Sequence, residues 1–400
     1  QQVGRNVNMV SGTTLPGGDP YLQRQNEPSG AVSTRNPMHL LVGANDYRTV
    51  DLPGVLGAVE TGDAWQGVFK SIDGGQSWFS TLLPGYPQDQ SPEGLASPIH
   101  GYEAASDPVV RAGTHGMFYY AGMAFDRGES APSAAFVARY IDLNNKENAD
   151  PMEYVDTHLI DHRTGYWDSV EPEPEDFRAG FIDKPWLAVD VPRSGAETCS
   201  ITVEQKDREG NPHTVTQQFP GGKVYVAYTV IKAIDDELHS TVLLSYSSDC
   251  GESWSQPKKL AAAGRIFQGA TIAIDPTSGA VYVSWRQFEQ FDPVLNINHP
   301  NAIFIARSDD GGKKFRKEVQ VAAITAFDQP TLPKNALPDF RGFRFNAYPT
   351  MTVDGDGRVY IAWSEYGLGA AEDARVVVST SGDGGQSWSL PVPVDDALME

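Results

Sequence analysis

Residues 381–388 read Ser381-Gly382-Asp383-Gly384-Gly385-Gln386-Ser387-Trp388, and the same phrase returns three more times along the 400-residue chain. Written as S-x-D-x-G-x-[ST]-W, it matches fully at residues 71–78, 247–254 and 381–388, and in degraded form at 308–315. A turn that recurs in this way predicts a repeated architecture.

The phrase has the composition of a tight hairpin turn. Its aspartate can accept hydrogen bonds from backbone N–H groups that follow it, and its glycines supply the positive φ angles that a tight turn needs. The closing aromatic residue can fill the apolar layer between neighbouring units. The residues assigned to this structural role are Asp73, Trp78, Asp249, Trp254, Asp310, Phe315, Asp383 and Trp388.

Two further repeats precede the turn in each unit. One is a β-branched and aromatic run that begins at a glycine, clearest at residues 222–228, 279–285 and 357–363 and looser at 39–44 and 116–122. The other is a shorter run before it, at residues 28–33, 108–112, 185–190, 270–275 and 349–354. Each unit is therefore predicted to be a four-stranded blade. The predicted blades span residues 16–82, 100–160, 178–262, 266–325 and 343–395.

The repeated turn resembles the Asp-box, or bacterial neuraminidase repeat, of sialidase-like β-propellers. This resemblance implies an all-β fold, a single β-propeller over residues 1–400, in which the boxes are structural turns remote from the active face. Such rings usually have six blades. We expect either that a further blade follows residue 400 or that the N-terminal segment, residues 1–15, helps to close a five-bladed ring.

Bulk properties narrow the function classes. The formal charge of −21 argues against nucleic-acid binding and disfavours anionic membrane surfaces. No run of about 18 apolar residues predicts a transmembrane segment. The chain begins Gln1-Gln2 without a methionine, which indicates a secreted, extracellular or periplasmic protein whose signal peptide has been removed. The oligomeric state is not predicted.

The two cysteines fall where a disulfide is feasible. In a propeller the turns between strands 1 and 2 and between strands 3 and 4 lie on one face. Cys199 falls in the first kind of turn and Cys250 in the second kind, within one blade. We predict a Cys199–Cys250 disulfide, with two free thiols as the alternative.

The opposite face, formed by strand 2–3 loops and strand 4–1 connections, is where we expect the site. Residues predicted to ring its mouth are Asn26, Glu27, Ser106, Asp107, Asp183, Lys184, Gln268, Ala347 and Tyr348. Arginines on this face could hold a carboxylated sugar through paired hydrogen bonds. The proposed substrate-binding residues are Arg265, Arg286, Arg341 and Arg344.

Sialidases use three arginines, an acid/base aspartate, and a tyrosine assisted by a glutamate. The resemblance implies Tyr348 as the nucleophile with Glu365 to assist it. Asp46, Asp107 and Asp126 lie on the correct side to act as the acid, and Asp107 is taken as the candidate. The Arg-Ile-Pro motif of the family is absent, and Arg35-Asn36-Pro37 falls on the other face. Packing of Tyr348 and loop salt bridges of the arginines are the alternative interpretations.

No cofactor or metal site is predicted. Asp354-Gly355-Asp356-Gly357 is short of the ligands of a calcium loop and is interpreted as a hairpin turn. The eight histidines show no zinc spacing.

Two functions remain open at this point. The first is a non-catalytic binding or assembly module that presents the site face to a carbohydrate or protein ligand. The alternative is an exo-acting glycoside hydrolase of sialidase type that cleaves an acidic sugar with an arginine cluster and a Tyr/Glu pair.

Overall fold

The structure is a computed structural model, and it describes twelve segments of the chain. They are residues 6–21, 23–50, 62–128, 131–145, 150–164, 180–206, 209–234, 237–261, 264–292, 296–326, 346–368 and 373–394. The chain divides into two compact units, residues 1–226 with 245–257 and residues 227–244 with 258–400.

The first unit contains two complete four-stranded antiparallel sheets, each in sequential strand order. The strands of the first sheet are β1 (Gln25–Val32), β2 (Leu40–Asp46), β3 (Trp65–Ser71) and β4 (Phe79–Leu82). Those of the second sheet are β5 (Ala104–Ala112), β6 (Met117–Phe125), β7 (Ser133–Asp142) and β8 (Met152–Arg163).

The third sheet has the strand order β14-β13-β12-β9, and a separate hairpin is inserted between its first two strands. Its strands are β9 (Phe181–Val189), β12 (Val224–Ile234), β13 (Glu237–Ser247) and β14 (Lys258–Lys259). The inserted hairpin consists of β10 (Thr198–Lys206) and β11 (Pro212–Pro220). Edge strand β5 contacts both β1 and β9, so the first strands of the three sheets lie side by side.

The second unit contains two further four-stranded antiparallel sheets and a small hairpin. One sheet consists of β15 (Phe267–Ile274), β16 (Val281–Gln287), β19 (Ala302–Ser308) and β20 (Val319–Ala323), with the hairpin β17 (Gln290–Asp292) and β18 (Ile297–His299) inserted. The other consists of β21 (Thr350–Val353), β22 (Val359–Leu368), β23 (Asp373–Ser381) and β24 (Val392–Pro393). Their first strands, β15 and β21, are also in contact.

Helical structure is minor. The described residues contain one α-helix, α1 (Pro92–Ala96), and two 3-10 turns at Tyr47–Thr49 and Thr114–Gly116. Among the described residues, no helix combines the length and the apolar character needed to cross a membrane.

Each unit has its own apolar core. It is formed by alternate side chains of the strands, which are buried between neighbouring sheets. In the first unit Trp65, Phe118, Tyr120 and Phe136 belong to one buried cluster. In the second unit the corresponding cluster contains Tyr282, Ile305 and Trp363. The predicted glycine-led runs are found in β2, β6, β12, β16 and β22, which are the second strands of the five sheets.

The repeated turns adopt the hydrogen bonding that their sequence predicts. In the first box the N–H groups of Gln76 and Ser77 donate to Asp73 Oδ1, and Ser77 Oγ donates to Asp73 Oδ2. These hydrogen bonds, the side-chain bond from Ser77 foremost, lower the pKa of Asp73 to about 2. Residues 74 and 75 take positive φ angles, as the glycine pair requires.

Cys199 and Cys250 form a disulfide bond, and both are buried in the first unit. The disulfide joins the base of the β10–β11 hairpin to the third sheet's box turn. A Cβ atom at Gly221 would lie 2.3 Å from Cys199 Sγ and 2.7 Å from Cys250 Sγ. A glycine is therefore required where the chain passes the disulfide.

The predicted fold class, an all-β β-propeller of four-stranded blades with box turns, is confirmed. The described residues form five such sheets. The number of blades in the complete ring and the blade boundaries stay predictions, and residues 6–21 form turns rather than a strand.

Candidate functional site

Near the start of β1, β5 and β9, one residue other than glycine adopts a left-handed backbone conformation. Glu27, Asp107 and Lys184 in the first unit have φ angles of 52°, 61° and 49°. Glu27 and Asp107 each interrupt the register with the second strand. A left-handed conformation is uncommon for a residue other than glycine, and such strain concentrates at functional sites. We call Glu27, Asp107 and Lys184 the inner-rim residues.

The three inner-rim side chains meet in one cluster. Lys184 Nζ lies 3.2 Å from Asp107 Oδ2 and 3.5 Å from Glu27 Oε2. The Asp107 side chain is 12% exposed, whereas that of Glu27 is 51% exposed. A sheltered carboxyl, an open carboxylate and an ammonium group therefore converge from three different strands.

The buried side-chain amide of Asn45 holds two members of the cluster in place. Asn45, on β2, accepts a hydrogen bond of 2.8 Å from the backbone N–H of Asp107 at Oδ1. Its Nδ2 group donates to Asn26 Oδ1 at 2.9 Å and to Glu27 Oε2 at 3.3 Å. Asn45 is 6% exposed, so its orientation is held by these bonds and by packing.

The environment of Asp107 favours its protonated form. Burial raises the pKa of Asp107 to about 6, Lys184 opposes this rise, and the carboxylates of Asp183 and Glu27 add to it. A carboxyl group that holds its proton near pH 6 can act as a general acid close to neutral pH. Asp107 therefore lies in the electrostatic setting that proton donation requires.

Tyr348 belongs to the second unit, where it packs on the inner end of β15. Its hydroxyl donates to Gln268 Oε1 at 2.6 Å and accepts from Asn346 Nδ2 at 2.8 Å. A Cβ atom at Gly269, which has a φ of 71°, would lie 2.2 Å from the Tyr348 ring. The position of the Tyr348 side chain is therefore set by packing of its ring against Gly269 and by hydrogen bonds to two side-chain amides.

Glu365 is occupied by other partners. Its Oε1 accepts from the backbone N–H of Thr325 and its Oε2 accepts from Trp363 Nε1, both at 3.1 Å. The pairing of Tyr348 with Glu365 therefore stays a prediction.

Of the four arginines proposed to bind substrate, the structure describes Arg265 and Arg286. Both lie in the second unit and form hydrogen bonds with other residues of the protein. Arg286 is fully buried, donates to Asn301 Oδ1 at 2.7 Å and stacks on the Phe288 ring. Arg265 donates to Gln287 Oε1 at 3.0 Å. Arg341 and Arg344 lie outside the described residues.

Arg48, in the 3-10 turn that follows β2, has a structural role. Its guanidinium and the Asp46 carboxylate, both fully buried, lie 2.6 Å apart. The same guanidinium donates to the carbonyl groups of Pro16 and Gly17 and thus anchors the N-terminal segment.

Among the described residues, one group of possible metal ligands lies away from the inner rim. Oxygen or nitrogen atoms of Asp156, His158 and Glu252 lie within 4.8 Å of one another. The Arg139 guanidinium binds both carboxylates, at 2.7 Å in the case of Glu252, so a protein cation already offsets part of their negative charge.

Asp354, in the sequence that resembles part of a calcium loop, lies in a hairpin turn. It accepts hydrogen bonds from the backbone N–H groups of Asp356 and Arg358.

Sequence reasoning placed Asn26, Glu27, Asp107 and Lys184 at the mouth but assigned chemistry only to Asp107. A signal for the others was available. Asp107, Glu27 and Lys184 each precede a proline at the same point of the repeat. Asn45 follows a largely apolar run on β2, and no sequence motif around it indicated a role in the site.

The family model for the BNR repeat-like domain matches residues 190–397. The match spans more than half of the chain, so the protein belongs to the BNR repeat-like family. No protein with a curated description matches the sequence.

Several solved structures are similar in fold at low sequence identity. The GH93 α-L-arabinofuranosidase of Fusarium graminearum in complex with arabinobiose is 13% identical, with a TM-score of 0.46 over 92% of this chain and 82% of that chain. The Penicillium chrysogenum α-L-arabinanase complexed with arabinobiose is 11% identical, with a TM-score of 0.42 over 92% and 81%. The Hadza microbial sialidase Hz136 is 14% identical, with a TM-score of 0.45 over 94% and 60%.

Proposed function

We propose that this protein is a glycoside hydrolase whose general acid is Asp107. The observation that carries the proposal is the sheltered Asp107 carboxyl, with a pKa raised to about 6, facing the open Glu27 carboxylate across Lys184. Two carboxyl groups with different environments are the usual requirement for glycoside cleavage.

The reaction divides between the two carboxyl groups. Asp107 donates its proton to the glycosidic oxygen as the bond from that oxygen to the anomeric carbon breaks, and the alcohol leaves. Glu27 attacks the anomeric carbon and forms a glycosyl ester. Asp107, now ionised, then takes a proton from water, the water oxygen adds to the anomeric carbon and the bond to Glu27 breaks, which restores the starting state.

We infer net retention at the anomeric carbon, which the separation of the carboxyl groups permits. Because both bind one ammonium group, the Asp107 and Glu27 oxygens lie within about 7 Å of each other. Retaining enzymes place these groups roughly 5 Å apart and inverting enzymes roughly 6.5–9.5 Å apart. In a retaining mechanism Glu27 is the nucleophile. The proton NMR spectrum of the first-formed sugar tests whether the anomeric configuration is retained.

The charge around Asp107 favours a neutral sugar over the acidic sugar that the sequence suggested. With Asp107 protonated, the Glu27 and Asp183 carboxylates still outnumber Lys184, so a substrate carboxylate would meet repulsion there. Arg265 and Arg286, proposed to clamp such a group, are bound to protein partners. The arabinobiose complexes named above are consistent with a neutral-sugar substrate in enzymes of similar fold.

A glycosidase panel tests the proposal. Purified protein is incubated with 4-methylumbelliferyl glycosides of α-L-arabinofuranose, common neutral hexoses and N-acetylneuraminic acid at pH 5–6, and with linear arabinan. Release from a neutral glycoside that Asp107→Asn abolishes would support it. Turnover that is intact in Asp107→Asn would contradict it.

Binding without turnover is the second candidate function. It is favoured by the observation that Tyr348 and Glu365, the pair that the sialidase resemblance implies, accept hydrogen bonds from separate groups. Retention of oligosaccharides on a glycan array, with no product from the same glycans in solution, would support it.

A secreted or periplasmic location is part of the proposal. The buried Cys199–Cys250 disulfide supports it, because such bonds persist in oxidising compartments.

A further inference from the structure

Lys184 is the one inner-rim residue that the reaction above leaves without a role. It lies on β9, whereas its two partners lie on β1 and β5. Its ammonium group is 3.2 Å from the sheltered Asp107 carboxyl and 3.5 Å from the open Glu27 carboxylate. A single cation therefore connects both groups of the proposed acid–nucleophile pair.

The backbone at Lys184 is held in a conformation that lysine does not favour. Its φ angle is 49°, and the following residue is Pro185. A left-handed non-glycine residue costs on the order of 1 kcal/mol or more, and the surrounding structure must maintain it. Here that backbone geometry directs the side chain into the cluster.

The Lys184 side chain is 31% exposed and the Asp107 side chain 12% exposed, so their interaction is only partly screened by water. The charged groups around Asp107 come from two strands: Glu27 from β1, and Asp183 and Lys184 from β9. Asn45, from β2, is neutral. Within the part of the chain that the structure describes, Lys184 is the positive charge that acts on Asp107, against the carboxylates of Asp183 and Glu27.

We propose that Lys184 is a positioning residue that holds the Asp107 and Glu27 carboxyl groups at their working separation and limits how tightly Asp107 holds its proton. This inference rests on the proposed function for its role in turnover. Its electrostatic part stands without it, because the ammonium group opposes protonation of Asp107 whether or not a substrate is cleaved.

Two substitutions separate charge from shape. Lys184→Met removes the charge and keeps an unbranched chain, while Lys184→Arg keeps the charge. Lys259→Met, at an exposed position on β14, is the matched control. Lys184→Gln serves as a second neutral variant if the methionine variant does not fold.

The direct readout is the titration of the Asp107 carboxyl by carbon-13 NMR of the full-length protein labelled at aspartate, with the signal assigned from Asp107→Asn. In Lys184→Met we expect the pKa of Asp107 to rise by about one unit, a tenfold gain in proton affinity. Lys184→Arg and Lys259→Met should leave it within a few tenths of a unit of wild type.

Activity supplies the second readout. On a substrate that wild type cleaves, the alkaline limb of the kcat/KM profile should move up by the same amount in Lys184→Met. An unchanged Asp107 titration in Lys184→Met would overturn the inference. A shifted titration in a protein that cleaves no glycoside would retain the electrostatic role of Lys184 and reject the proposed function.

Discussion

The backbone N–H of Asp107 donates a 2.8 Å hydrogen bond to Asn45 Oδ1, which connects the bulge on β5 to a buried side chain on β2 of the neighbouring sheet. The other end of the same amide donates to Asn26 and Glu27. One asparagine therefore positions two of the three inner-rim residues.

Replacing Asn45 should destabilise the protein and loosen the site. Asn45→Ala leaves the N–H of Asp107 without its partner, which costs roughly 1–3 kcal/mol when the group is sheltered. We expect a lower thermal midpoint and, where turnover is measurable, a lower kcat. Asn298→Ala, at an exposed position, is the control. Equal stability of Asn45→Ala and wild type would contradict this role.

The raised pKa of Asp107 makes a signed prediction for stability. Its pKa is about 6 in the folded protein against 3.8 for the unperturbed group. Between these values the folded state binds more protons than the unfolded state, so the free energy of unfolding falls as pH rises. Asp107→Asn lacks this loss. Its thermal midpoint relative to wild type should therefore increase from pH 4 to pH 6 and stay constant above pH 7.

A pH-independent difference between the two proteins would show that Asp107 titrates normally. A difference that decreases with pH would show that its pKa is lowered.

Tyr348→Phe distinguishes a structural tyrosine from a nucleophile. The substitution removes a hydroxyl that bonds Gln268 and Asn346, and each lost hydrogen bond of this kind costs about 1 kcal/mol. We expect a lower thermal midpoint with kcat within a few-fold of wild type. Loss of kcat by a factor of a hundred or more, at unchanged stability, would instead identify Tyr348 as the nucleophile.

Gly221→Ala should prevent the disulfide. The added methyl group would overlap both sulfur atoms, so the chain must move or the bond must remain open. We expect close to two free thiols per chain when the denatured, unreduced protein reacts with Ellman's reagent. Stability should fall by about 2–4 kcal/mol. Gly355→Ala, where a Cβ atom meets no other atom, is the control and should show no free thiol.

The repeat made the sheets predictable, because the box turn and the glycine-led run recur at fixed places and depend on local chemistry. The site was less accessible for a physical reason. Lys184 and Glu27 are ordinary charged residues in sequence, and only the left-handed backbone at each turns them toward Asp107. Conversely, Arg286 is a residue type that often binds ligands. In the structure it is buried and donates a hydrogen bond to Asn301.

The central claim is that Asp107 protonates the departing oxygen. The most direct measurement compares kcat/KM of wild type and Asp107→Asn on two glycosides of the same sugar, one with a 2,4-dinitrophenyl leaving group and one with an alkyl leaving group. A dinitrophenolate needs no proton to depart, so we predict a loss of about 10²–10⁴-fold on the alkyl glycoside and a small loss on the dinitrophenyl glycoside. Equal losses on both substrates would contradict the claim.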